Sequence, residues 1–461
     1  MTARLLVQIF HSEAGGQFID DAGGAFISDA GGIFEDSVGI LRLSTEDFAG
    51  DRYWRGDIIS IDPISYRMDQ LYGGMVRISG GNMEIALYAF DSADWWLPAI
   101  SYPCIISVTD GLESEAVIIM EGTIYRKNID MPLSVSYDLY PKDISVNLLE
   151  SATDYDGNSV VLPKAFGQVS YVKPIRLADA GGGNRRYSAG GLTGTKHTDW
   201  HVYDDGVDVC SNATAISSNV FEYTVTPVGQ LTISGHGVSA ENWEIFEELC
   251  GSSYLNLILM DEGWEYGTIS KWQETQIFVT DFLSQVAAVT DAYFYILAGI
   301  LYLHDMDQYH LYYGTLSYDV ETDLLAGTRY ERGYPKSIAR YKYKTRTAVE
   351  ETIGKYVKEV EQEKTVLTPW AYGEEITIDA MTSTGNLGVG ALWNALIYHV
   401  GTRFYASMPM SSTAFKPGTK MILTDNRFNN RTVTCTGNIR DIVYDFIGKK
   451  INIEGSTTSV V

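Results

Sequence analysis

The sequence predicts a mainly β chain in three parts: a strand-rich segment, a mixed α+β segment, and a second strand-rich segment. Three observations carry this prediction. Short runs with alternating apolar residues, bounded by Gly, Pro, Asn or Asp, recur through both outer segments. The composition, with 31 Tyr and 44 Gly, leans toward strands and turns. Helix-type periodicity is confined to two stretches within residues 239–292. A chain of 461 residues exceeds one ordinary core. The expected division is a β-barrel domain over 1–160 with an N-terminal repeat arm at 13–37, an inserted α+β domain over 161–330, and a second β-barrel domain over 331–461.

The first element is the repeat EAGGQFIDDAGGAFISDAGGIFEDS. Its period of eight is even, so in an extended segment Phe18, Phe26 and Phe34 fall on one side. Calcium-binding repeats of the RTX type have a different period and a further glycine. Three such short units bury too little to stand alone. The three phenylalanines are therefore expected to form a partner contact, docking on a neighbouring subunit or ring.

From residue 39 to about 149, strand-like runs alternate with turns, and Gly80-Gly81 in MVRISGGNMEIALYAF reads as a hairpin turn. In the middle segment, SAENWEIFEELCG reads as a helix capped by Ser239 or Asn242 and ended by Gly251, with Trp243, Phe246, Leu249 and Cys250 as its apolar stripe. TQIFVTDFLSQVAAVTDA reads as a second helix, with an apolar face from Ile277 and Phe278 to Val289. The run AYFYILAGILYL is too short to span a membrane and reads as two buried strands meeting at Ala298-Gly299. Strand patterns return from about residue 332 to the C-terminus, so the outer segments are candidates to pair around an inserted middle.

The balance of 34 basic and 59 acidic groups gives a net charge of −25, which disfavours binding to a phosphate backbone. The four cysteines are far apart and read as buried thiols. The N-terminus has no secretory pattern, so synthesis is expected in a cytoplasm. No cofactor and no metal are expected. His197 and His201 have a spacing that could hold a metal on a helix, but the local sequence reads as turn or strand. In DYDGN, Asp154, Asp156 and Asn158 resemble the start of a calcium loop, yet the glycine comes too early and a β-turn fits better. Phosphate-binding glycine loops and the GxSxG elbow are absent, which disfavours the enzymes that need them. Paired carboxylates could serve a hydrolase, although Glu244, Glu247 and Glu248 read as a solvated helix face. Trp95 and Trp96 could stack on sugars or simply pack.

The middle segment also carries an ordered set of phrases: VLPKAFGQVSYVKPIRL, then HVYDDGVDV, then FEYTVTPVGQLTISGHG, followed by a helix and a Gly-turn β-pair. This order resembles the tail hub, or baseplate, proteins of long-tailed bacteriophages, and PKSIARYKYKTRT and the C-terminal strands are similar to the closing barrel of such a hub. The resemblance covers about three-fifths of the chain, leaving out the opening repeat and GGGNRRYSAGGLTGTKH. It implies two related hub-type barrels with an insertion, and a non-enzymatic homotrimer in the virion that is assembled in the host cytoplasm. It further implies a ring at the distal end of the tail tube that adapts tube symmetry and gates tape-measure protein and DNA during ejection. Implied partners are distal tail or tail-tube proteins, the tape-measure protein, and tail-tip fibre or receptor-binding proteins, without sequence-specific nucleic-acid binding. A receptor- or glycan-binding module of the tail tip and a tail-associated hydrolase are the alternatives.

Overall fold

Period-two burial organises the first sheet. In the strand Arg4–His11, Leu5, Val7 and Ile9 share one face, and in Ser101–Thr109 so do Tyr102, Cys104, Ile106 and Val108. These two strands lie side by side in a seven-stranded antiparallel sheet. Its order is Gly39–Ser44, Arg4–His11, Ser101–Thr109, Val117–Asp130, Ser134–Pro141, Asn82–Ala86, Ile58–Ile61. The computed structural model describes residues 3–11, 39–49, 52–70, 73–86, 101–130, 134–141, 146–179, 184–196, 198–237, 242–254, 257–260, 269–290, 292–297, 300–305, 315–332, 338–351, 354–367, 375–379, 402–411, 415–428 and 431–460. The chain is mostly β and includes a nearly closed, barrel-like sheet.

The second large sheet is built from both ends of the chain. Strand Ile64–Gln70 pairs with Arg431–Asp445 in the register Ile442↔Tyr66, and that strand pairs in turn with Lys450–Val460 and Lys420–Phe428. The Tyr66 and Tyr444 rings meet edge to face, 6.0 Å apart. The Tyr66 hydroxyl donates to the Ile119 carbonyl in the first sheet, so one side chain ties the two sheets together. Both sheets contribute to one apolar core, from Leu5 and Ile106 to Phe404 and Ile453. Hydrogen bonding therefore crosses the expected boundaries at 160 and 331.

The hairpin expected at Gly80-Gly81 does not form. The strand before it, Gly73–Ser79, pairs with Ile64–Gln70 and Ala292–Leu297, whereas the strand after it, Asn82–Ala86, pairs with Ile58–Ile61 and Ser134–Pro141. The two glycines are a corner where the chain changes sheets. Close approach requires them: a Cβ on Gly80 would lie 2.7 Å from Leu139 Cβ, and one on Gly81 would lie 2.4 Å from Asp62 Cβ. The Asn82 amide donates to Asp62 Oδ2 at 2.7 Å, fixing the exit direction.

In the middle segment, Ala292–Leu297 is buried at every position and pairs antiparallel with Ile300–Asp305, ending at Leu297↔Ile300 as the run around Ala298-Gly299 predicts. It also pairs in parallel with Gly73–Ser79, which links the middle segment to the second sheet. Helix α1 (Asn242–Tyr254) continues through Gly251, where the sequence predicts a stop. Burial of Ile245, Phe246, Leu249 and Cys250 offsets the modest helix penalty of an interior glycine. Glu247 and Glu248 are exposed, as predicted for a solvated face, and Glu248 pairs with Lys164 at 2.9 Å. Helix α2 (Val279–Val289) starts later than its apolar periodicity predicts. The preceding residues are taken by a strand-like contact, in which the Leu148 amide donates to Ile277 O and the Val279 amide to Val146 O, both at 2.9 Å. Phe278 is thereby extended and exposed, not part of the helix face.

All four cysteines are buried and none is in a disulfide. Burial pushes the thiols of Cys104, Cys250 and Cys435 up to about 12, which keeps them protonated and unreactive. DYDGN is the expected turn: Asp154 Oδ1 accepts the amides of Asp156 and Asn158 at 2.9 and 2.7 Å, and Gly157 takes φ +85°. Among the described residues no helix is long and apolar enough to cross a membrane.

Candidate functional site

The phrases HVYDDGV and TPVGQL form one joint. Strand Trp200–Asp204 alternates, so that Trp200, Val202 and Asp204 point inward while His201 and Tyr203 face outward. Asp205 and Gly206 take φ 48° and 78°, the pair of positive values that closes a two-residue hairpin onto Val207–Asp208. The buried Asp204 carboxylate then accepts the amides of Val228 and Gly229, both at 2.7 Å. Asp205 Oδ1 accepts the Gln230 amide at 2.6 Å. These acceptors satisfy a loop whose amides would otherwise be unpaired. The two phrases are thus structural complements, which their separation in sequence conceals.

Above this joint lies a cleft of about 370 Å³ lined by Ser170, Tyr171, Asp199, His201, Tyr203, Ser234 and His236, among others. The Tyr171 ring packs on Tyr203 at 4.7 Å, and His201 stacks on Tyr203 at 6.1 Å. Tyr171 holds φ 50°, its amide donating to Ser234 Oγ at 2.8 Å. Burial, then the nearby Tyr171 and Asp208, push the Tyr203 phenol up to about 12, so it stays a neutral hydrogen-bonding group. Rings beside hydroxyls, imidazoles and a carboxylate can stack on and hydrogen-bond a polar, ring-shaped ligand.

His201 also meets Asp208, with Nδ1 2.9 Å from Oδ2, and Cys210 lies beside them. His201 lies on a strand, so the helical His197/His201 spacing is not realised; His197 itself lies outside the described residues. Phe18, Phe26 and Phe34, the predicted contact residues, also lie outside them, as do Trp95 and Trp96. The sequence reading missed Asp208 and Cys210. Their signal, HVYDDGVDVC, becomes readable only once the Asp-Gly turn folds it into a hairpin.

No protein-family model and no curated protein matches the sequence. Among solved structures, the chain is similar to the tail protein from Neisseria meningitidis MC58, with 9% identity, 89% of this chain and 94% of that one covered, and a TM-score of 0.39. It is also similar to the 43 kDa tail protein of prophage MuSo2 from Shewanella oneidensis, with 12% identity, 88% and 96% covered, and a TM-score of 0.42. A chain in the virion of a native gene transfer agent particle matches with 12% identity, 69% and 89% covered, and a TM-score of 0.39.

Proposed function

We propose that this chain is a non-enzymatic structural protein of a phage virion, a subunit of the hub ring at the distal end of the tail tube. In this reading three copies form the ring, adapt the tube's symmetry and gate passage of tape-measure protein and DNA. The ring contacts distal tail or tail-tube proteins on one side and tail-tip fibre or receptor-binding proteins on the other. The observation that carries the reading is the joint at Asp204: the phrases that resemble the hub family fold onto one another, in a unit set between two β units that share a core.

Assembly is supported by a long hairpin. Strands Ile338–Glu351 and Gly354–Leu367 pair from Ile338↔Leu367 to Glu351↔Gly354, a ribbon about 45 Å long at the usual rise per residue. The third strand, Glu375–Asp379, accompanies only Ile338 to Lys342. Among the described residues the outer part of the ribbon is two strands wide, a form that is marginal in water by itself and gains stability on another chain. Lys342 Nζ pairs across the ribbon with Glu361 Oε1 at 3.3 Å.

Light scattering of the purified protein should give three times the 51.1 kDa of one chain. Replacing residues 343–362 by a short turn, or deleting the 14–35 arm with Phe18, Phe26 and Phe34, should reduce that mass while the far-ultraviolet spectrum is kept. A wild-type monomer at micromolar concentration would overturn the ring.

The cleft favours a second reading, a glycan-binding module of the tail tip. On that reading Tyr203→Ala weakens glycan-array signal at least about tenfold, the loss of one good stacking contact, without changing the oligomer. An array with no signal for the wild-type protein would dismiss it.

A further inference from the structure

We propose that His201, Asp208 and Cys210 form a binding site for a thiophilic divalent cation of the zinc class. The inference is independent of the tail assignment. The three ligand atoms lie within 4.8 Å of one another, and the hairpin explains why. Asp208 stands opposite Tyr203, and the Val209 amide donates to Val202 O at 2.9 Å, so Cys210 is brought opposite His201. Side chains alternate along a strand, which places Asp208 on the outward face with His201, while the fully buried Cys210 opens a short 3-10 turn (Cys210–Asn212) just past Asp208 and meets them from below. The tight Asp205-Gly206 turn holds that register.

The donors are preorientated. The Cys210 amide donates to Asp208 Oδ1 at 2.9 Å, which leaves Oδ2 aimed at His201. Two tetrahedral ligands of zinc, one nitrogen and one oxygen, stand about 3.4 Å apart, and nitrogen and sulfur about 3.6 Å. The present 2.9 Å contact therefore has to open by only a few tenths of an ångström, and the sulfur has to close by about one. Imidazole and thiolate together select zinc, cobalt or copper over magnesium and calcium. The overall charge of −25 raises the local concentration of any cation. Three protein ligands leave a fourth position for water.

Binding has a proton balance. The Cys210 thiol now donates to Trp200 O at 3.7 Å. On binding, the S–H bond breaks, the sulfur coordinates the cation as thiolate, and one proton passes to solvent. A plain ion pair between His201 and Asp208 above a core cysteine would show neither the thiolate bond nor this proton.

The test uses the full chain, freed of metal with a chelator and titrated with Co²⁺ followed by absorption, and with Zn²⁺ by calorimetry in two buffers of different ionisation enthalpy. The expected result is one Co²⁺ per chain, a thiolate-to-cobalt charge-transfer band, and proton release on Zn²⁺ binding. Cys210→Ser should abolish the band, and Asp208→Asn should weaken binding at least about tenfold, the loss of one ligand. Should Cys210→Ser fail to fold, the half-exposed His201→Gln serves in its place, and it too should bind at least about tenfold more weakly. A wild-type protein without the band overturns the site, as does unchanged affinity in His201→Gln.

Discussion

Phe282→Ala is expected to destabilise the protein by about 3–5 kcal/mol, the range for truncating a fully buried aromatic ring. Phe282 has 0% exposure on helix α2, and its ring lies 4.5 Å from that of Phe166 in a cluster with Phe246 and Phe294. Ridge-and-groove packing around such a ring relaxes only partly, so a cavity remains. The consequence extends beyond the helix. α2 packs on Ala292–Leu297, the strand that hydrogen-bonds in parallel to Gly73–Ser79 and so joins the middle segment to the second sheet. A loss of this size is a large part of the typical margin of 5–15 kcal/mol. Urea denaturation followed by tryptophan fluorescence measures it, with Phe282→Leu as the milder control. A midpoint unchanged in Phe282→Ala would mean that this cluster does not support the fold.

Arg427→Ala is expected to cost about 3 kcal/mol at neutral pH and to change the acid limb of stability. Asp425 has 0% exposure, and Arg427 meets it in a two-pronged contact, Nε to Oδ1 at 2.9 Å and Nη2 to Oδ2 at 2.7 Å. The same guanidinium donates to Thr328 O at 3.1 Å, fastening the strand Lys420–Phe428 to the turn before Arg329–Arg332. Without the guanidinium the carboxylate stays buried and loses its opposite charge, keeping the Arg427 amide, a main-chain group that donates to it at 3.0 Å, and the neighbouring Tyr330 hydroxyl. The hydrogen bonds from Arg427 hold the Asp425 carboxyl below the usual carboxylate range. Because the folded-state pKa lies below the unfolded value of about 3.9, this stabilisation is fully present above that value and is lost as pH falls through the folded pKa. Arg427→Ala should therefore lose most stability near pH 7 and show a shallower further decline below about pH 4. Parallel acid curves for the wild type and the variant would show that the pair does not set the limb.

Much of this was readable without coordinates. The alternation in MVRIS gave a strand, the unbroken apolar run 292–303 gave two buried strands, and DYDGN gave its turn, because each depends on residues a few positions apart. Helix ends were less legible. α2 lost Ile277 and Phe278 to a contact with residues 146–148, more than a hundred positions earlier, and no local propensity could report that. Gly80-Gly81 shows the same limit: its composition fits a hairpin turn, and only Leu139 and Asp62 at its flanks make it a corner between sheets.

The candidate site divides in the same way. By itself the sequence determined a mainly β chain with an acidic balance of charge, four buried cysteines and the turn at DYDGN, since periodicity, charge and turn chemistry are local properties. Only the tertiary structure decided that residues 64–79 complete a sheet with residues 420–460 and that Asp204 holds the loop at Gly229. It also decided that His201 meets Asp208 and Cys210. The physical reason is that an alternating pattern fixes which side of a strand is apolar but leaves its hydrogen-bonding edges unassigned, and those edges are satisfied by whichever distant segment the shared core brings alongside.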